Sequence, residues 1–175
     1  EVIMEIKIEG CLTQSKLENV LKQALGSTNF LGREVSVPGS RQKWDFLCNV
    51  NGESTVVEFD SSEHYYNSLV IESDRFKNRE AIKNGYKVIR IPYWVQLTNQ
   101  TFEHYFGIKA NITQNYQHGF IDNLSLLPAS FSPTGGAKFI RELFMLPESV
   151  QVDIIKSLLL KTCKHPLHCV MPDEL

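Results

Sequence analysis

The sequence predicts an α/β protein with an α-β-β-β-α-β core, a mixed sheet flanked by helices, and a C-terminal helical extension. Three features lead there: a helical stripe that ends at Gly26, three strand-like runs of which the last two meet at Asn51-Gly52, and a second helical run that leads straight into a β-branched segment. From Thr13 to Gly26, apolar Leu17, Val20, Leu21, Ala24 and Leu25 recur at helical spacing, and the closing glycine suits the left-handed position after a helix. Phe30 to Val37, Lys43 to Val50 and Ser54 to Asp60 read as strands, with Asn51-Gly52 as a strong hairpin signal between the last two, so the three are expected to be antiparallel neighbours. Ser73 to Gly85 reads as the second helix, with Ser73 as its N-cap, apolar Phe76, Ala81 and Ile82, and a glycine at its end. Tyr86 to Pro92 follows at once, and a helix between two strands makes the crossover that a parallel pair requires. Thr98 to Phe106 predicts a short helix, and 110 to 133 a turn-rich loop with Leu124, Leu126 and Leu127 turned inward. Gly136 to Leu146 and Pro147 to Cys163 predict a helical hairpin, Pro147 fitting a helix start. The expected organisation is a core over residues 1–107 and an extension over 108–175 packed on it.

Composition narrows the function classes. With 175 residues, 42% of them hydrophobic, the chain is long enough for one domain with a real core and too apolar for disorder. Apolar stretches fall well short of the roughly 20 residues that span a bilayer, so a soluble protein without a membrane partner is expected. Eighteen Lys and Arg against 20 Asp and Glu leave a formal charge of -2, so a nucleic-acid partner would have to meet a local basic face. Arg41, Lys43, Arg75, Lys77, Arg79, Lys83, Lys87 and Arg90 offer one, although part of this set only solvates the outside of the second helix. Scattered cysteines (Cys11, Cys48, Cys163, Cys169) and the lack of a leader-like start point to a reducing cytoplasm. The run Cys163-Lys-His165-Pro-Leu-His168-Cys169 holds potential metal ligands at a spacing that fits no zinc site, and it reads as a tail.

The chemistry concentrates in the strands. Asp45 interrupts a core-like run, Trp44-Asp45-Phe46-Leu47, and across the hairpin Glu58 and Asp60 stand two apart, on one face of their strand. Three carboxylates on one patch repel one another. A solvated acidic edge is one explanation; the usual compensation in a partly buried hairpin is a divalent cation such as Mg²⁺ held through oxygen. His64 follows Asp60 by one helical turn, placed to take a proton from water at neutral pH, though a lone histidine is often a surface residue. Asp74 either orients His64 or favours the positive end of the second helix, and Glu18 has a local explanation as the partner of Ser15 in a capping box.

The ordered set says more than its members. Glu18 on a helix, Asp45 on a strand, Glu58-x-Asp60 on the next, His64, then Asp74 and Gly85 before Tyr-Lys-Val-Ile-Arg-Ile resembles the Vsr-like branch, of Glu-Asp-x-His-Asp type, of the PD-(D/E)XK endonuclease superfamily. Residues 15 to 97 carry the resemblance. It implies a restriction-endonuclease-like fold and hydrolysis of DNA phosphodiesters with Mg²⁺ or Mn²⁺, Asp45 binding the metal and Glu58 and Asp60 adding contacts. It further implies that His64 activates water, Asp74 orients His64, and Glu18 binds an outer-shell water. The chain departs from the pattern in three ways. The common Glu-x-Lys ending is replaced by Asp60, leaving Lys77 as the reserve lysine. Ser62 and Glu63 stand where mismatch-repair members carry wedging aromatics, and no cysteines near His64 supply their structural zinc site.

Two function classes follow. One is a metal-dependent endonuclease, of nicking, restriction, homing or repair type. The other is a catalytically silent DNA-binding or assembly subunit that keeps the fold. The intact set of Glu18, Asp45, Glu58, His64 and Asp74 favours the enzyme, because a silent chain has no physical reason to keep repelling acids together. Since one site cuts one strand, breaking both strands requires a homodimer, a partner subunit or two sequential visits.

Overall fold

The computed structural model describes residues 4–114 and 131–164, and within them the chain is α/β. A short strand β1 (Ile6–Ile8) leads to helix α1 (Gln14–Leu25), whose N-cap is Thr13, its hydroxyl accepting from the Lys16 amide at 3.3 Å. The cap therefore lies two residues before Ser15, so Ser15 and Glu18 form no capping box. Gly26 closes the helix at φ 77°, as its position in the sequence anticipated. Strands β2 (Phe30–Ser36), β3 (Lys43–Val50) and β4 (Glu53–Asp60) form an antiparallel meander, and Asn51 and Gly52 both take positive φ in the β3–β4 turn.

A single-turn helix α2 (Glu63–Tyr66) precedes α3 (Ser68–Lys83), which crosses over to β5 (Lys87–Pro92), parallel to β4. The four strands make one mixed sheet in the order β2-β3-β4-β5. Helix α4 (Asn99–Phe106) follows, and β6 (Ile112–Gln114) pairs in parallel with β1, inside a stretch expected to be loop. Three residues between polar neighbours are too few to show a period. Helices α5 (Pro133–Met145) and α6 (Glu148–Lys164) end the described chain. Leu124, Leu126, Leu127, His165, His168 and Cys169 lie outside the described residues. No helix among the described residues is long and apolar enough to cross a membrane.

The two faces of the sheet are covered differently. Leu17, Val20, Leu21 and Leu25 of α1 meet Phe46, Cys48, Val50, Val57, Ile89 and Ile91, and Phe102 and Phe106 of α4 extend this core. Each fully buried side chain of this kind contributes about 1.5–3 kcal/mol. On the other face α3 covers only a small apolar cluster, Val37, Trp44, Val56 and Ala81. Its inward residues are Ile71, Asp74, Lys77 and Ala81, whereas Phe76 and Ile82 are 48% and 62% exposed. The helix expected from Ser73 thus begins five residues earlier, capped by Asn67, and presents a different face. Two of its four inward positions are charged, so an apolar stripe could not reveal them.

A third cluster joins the C-terminal helices to the rest. Phe139, Leu143 and Leu146 with Ile154 and Leu158 enclose Tyr65, Tyr93, Trp94 and Val95. Helix α5 reaches the backbone of α2: the Ser132 amide donates to the Tyr65 carbonyl at 3.0 Å, and a Cβ on Gly135 would stand 1.5 Å from that oxygen. Only glycine fits there. In an ordinary helix interior Gly→Ala stabilises by about 1 kcal/mol. Gly135→Ala is expected instead to destabilise the protein, by about 3 kcal/mol, as α5 is forced off α2. Urea unfolding would measure it, and a stabilised variant would refute the contact.

Candidate functional site

Between the sheet and α3, at the end where β4 finishes, the apolar packing gives way to charge. The β3–β4 ladder runs as far as Phe46 opposite Val57. Beyond it the Asp45 carboxylate stands in for a ladder acceptor, its Oδ2 taking the Phe59 amide at 2.7 Å and its Oδ1 the Gln14 side-chain amide at 2.8 Å. The Asp45 amide donates to Glu58 Oε2 at 3.2 Å. Asp45 and Glu58 are thereby brought together, and Trp44 turns to the α3 face, its ring 4.4 Å from Lys77 Nζ and 5.4 Å from the Arg90 guanidinium.

Glu58 and Asp60 share a face, as their spacing required, and α3 and β5 set cations against them. Lys77 Nζ meets Glu58 Oε1 at 2.6 Å. Asp60 has no solvent exposure; Arg90 holds its Oδ1 at 2.5 Å and Lys138 of α5 its Oδ2 at 2.7 Å. Arg90 also reaches Asp74 Oδ1 at 3.0 Å and Asn78 Oδ1 at 2.9 Å. His64 Nδ1 lies 2.6 Å from Asp74 Oδ2 and 3.7 Å from Asp60 Oδ1. Lys138 further approaches Glu142 at 3.7 Å, and Glu142 accepts the Tyr65 hydroxyl at 2.5 Å. Glu18, one turn along α1 from the Gln14 that donates to Asp45, is paired with Lys22 at 2.7 Å and Arg33 at 3.7 Å.

Mutual repulsion of the acids was expected to be relieved by a bound cation. Internal lysines and an arginine relieve most of it. Two of the residues proposed to face DNA, Lys77 and Arg90, are consequently buried in this layer, while Arg41, Lys43, Arg75, Arg79, Lys83 and Lys87 are exposed. Compensation is incomplete, however. Five carboxylates (Asp45, Glu58, Asp60, Asp74, Glu142) face three permanent cations (Lys77, Arg90, Lys138), an excess of two negative charges when His64 is neutral. Asp45 has no ion pair within 4.0 Å among the described residues.

The proton affinities follow that balance. Burial pushes the Asp45 and Glu58 carboxyls above their ordinary values, and for Glu58 the Lys77 charge does not cancel it. Burial also raises Glu142. Asp74 is held low: burial opposes its ionisation, but the hydrogen bond from His64 and the Arg90 charge outweigh it. Burial alone would lower His64, yet the Asp74 hydrogen bond and the charges of Asp60 and Asp74 raise it. With Asp74 ionised, the proton between the two belongs on Nδ1, so neutral His64 carries its lone pair on Nε2, the tautomer of a general base.

One ligand atom each from Asp60, His64 and Asp74 lies within 4.8 Å of the others, a group able to hold a metal although all three are already paired. Asp45 and Glu58 form the adjacent pair, each with raised proton affinity, and carboxylate oxygens of this kind suit Mg²⁺ or Mn²⁺. Comparison with family profiles, curated proteins and solved structures finds no match.

Sequence reading missed Lys138, Glu142 and Tyr65 as members of the site. The available signal was a lysine and a glutamate four apart on a helix whose neighbouring inward positions, Phe139 and Leu143, are apolar. Lys77→Met leaves Glu58 buried without its partner and is expected to cost about 3–5 kcal/mol at neutral pH. The deficit shrinks as pH falls and Glu58 folds protonated, and the Lys77→Met/Glu58→Leu pair recovers most of it; an unchanged denaturation midpoint for the single variant would refute the assignment. His64, raised above its ordinary 6.5, binds a proton more tightly folded than unfolded, so its contribution is complete below that value and lost as pH rises through the folded pKa. Unfolding measured across this range should show the decline, and His64→Gln should remove it.

Proposed function

We propose that this chain is a divalent-metal-dependent DNA endonuclease of the PD-(D/E)XK type, nearest in design to the Vsr-like branch. One observation carries the reading: a His64–Asp74 couple at 2.6 Å beside carboxylates whose charge the internal cations do not fully offset. Mg²⁺ or Mn²⁺ would sit against Asp45 and Glu58, with Asp60 behind them, and there would polarise the phosphodiester and assist the leaving alkoxide. His64 Nε2 takes the proton of the attacking water. Asp74 keeps the ring oriented and stabilises the imidazolium that forms. Lys77, joined to Glu58, is the reserve group for charge on the phosphoryl oxygens. Glu18, whose contacts are with Lys22 and Arg33, is left the outer role of holding a water. The exposed cations of α3 would meet the DNA backbone, and cutting both strands would need a second copy, a partner subunit or two sequential visits. A reducing cytoplasm is the compartment that fits, with Cys11 and Cys48 free thiols and Cys48 buried with its pKa pushed up to about 12.

A second reading, a silent DNA-binding or assembly subunit, is favoured by the pairing itself. Glu58, Asp60 and Asp74 each already have an internal cation, so the layer holds together without an ion. Supercoiled plasmid with Mg²⁺ or Mn²⁺ separates the two. Nicked circles are expected to appear before linear product. Asp45→Asn is expected to abolish cleavage and to blunt the rise in melting temperature that the metal gives the wild type. His64→Ala should slow cleavage by roughly 10² to 10⁴ with metal still bound. Full cleavage by Asp45→Asn would overturn the metal assignment, and neither nicking nor a thermal shift in the wild type would leave the silent subunit.

A further inference from the structure

We propose that Lys138 is a positioning residue: by fixing the Asp60 carboxylate through Oδ2 and holding the His64 carbonyl, it directs the His64 imidazole to Asp74 and leaves Nε2 presented for chemistry. The inference rests on the reading that the His64–Asp74 couple is the working part of the site. His64 stands within reach of two carboxylates, and the ring could serve either. Asp60 is the nearer in sequence, four residues away, yet the short contact is to Asp74, at 2.6 Å against 3.7 Å. The reason lies in how Asp60 is held. Arg90 takes Oδ1, the oxygen that faces the imidazole, at 2.5 Å and Lys138 takes Oδ2 at 2.7 Å, so two cations fix the Asp60 carboxylate and draw its charge away from the ring.

Lys138 also grips the segment that carries His64. Its ammonium lies 3.4 Å from the His64 carbonyl and 4.3 Å from the centre of the Tyr65 ring. The helix is locked to that segment at both ends, by Ser132 on the Tyr65 carbonyl and by Glu142 on the Tyr65 hydroxyl. Lys138 is 8% exposed, so its charge is spent inside the protein and is no part of a surface for DNA.

The test reads the imidazole directly. The Nδ1 proton of His64, identified by its absence in His64→Gln, should give a downfield, slowly exchanging resonance in the intact protein at fixed pH. Lys138→Met is expected to lose it through exchange or a change of partner, and Lys138→Arg to keep it. In the plasmid assay the Met variant should show kcat reduced by about 10² with KM unchanged, the scale of a small misplacement of a reacting group. A folded Met variant that retains the resonance overturns the proposal, as does an Arg variant as defective as the Met one. If Lys138→Met does not fold, Lys138→Gln fills the space with a neutral side chain one bond too short to reach Asp60 Oδ2, and retention of the resonance there overturns it equally. Loss of the resonance in a protein that never nicks DNA would leave the positioning intact and remove the nuclease reading.

Discussion

A carboxylate with no access to water must be matched, and Asp60 is that carboxylate. It ends β4, the strand that joins the antiparallel meander to the parallel crossover, and the cations that neutralise it come from elements later in the chain. Arg90 comes from β5 and Lys138 from α5. Pairing two strands in parallel and docking the C-terminal helices therefore satisfy the same buried charge. Such pairs often add little net stability over an apolar core of the same shape, but they strongly penalise any arrangement that leaves one member alone. The charged layer between the sheet and α3 is thus better understood as selecting one packing than as strengthening it; the apolar face under α1 supplies most of the burial.

That selection shapes the chemistry. A layer of acids without internal cations would bind metal tightly but would repel itself in the metal's absence. A fully paired layer would fold well and bind nothing. Here Glu58, Asp60 and Asp74 each have an internal cation, and Asp45 is held by hydrogen bonds alone. Asp45, at the β3 end, is thus the carboxylate of the layer with no ion pair among the described residues.

Much of this was legible in the sequence, and unevenly. The meander, its Asn51-Gly52 turn and α1 with its terminal glycine follow from local rules, because each is decided by residues within a few positions of one another. The bringing together of Asp45, Glu58, Asp60, His64 and Asp74 followed from strand alternation and from the order of residues. What escaped was what tertiary structure decides. Helix α3 turns a half-charged face inward, so its apolar residues Phe76 and Ile82 pointed to the wrong side and hid its true start at Ser68. The pairing of β1 with β6 joins two three-residue segments more than a hundred positions apart. Lys138 was invisible as a member of the site because a lysine on a helix is ordinarily solvated, and only its partner, 78 residues earlier, gives it another role.

That separation has a consequence during synthesis. The meander can close as soon as β4 leaves the ribosome, since its contacts are local, and loop closure of so short a chain costs little. The ammonium that completes the Asp60 pair is made 78 residues later. Until α5 emerges, the nascent chain holds its acids and its histidine without the group that sorts them. A product truncated before α5 would thus carry the recognisable residues of the site without the ammonium that holds Asp60 Oδ2.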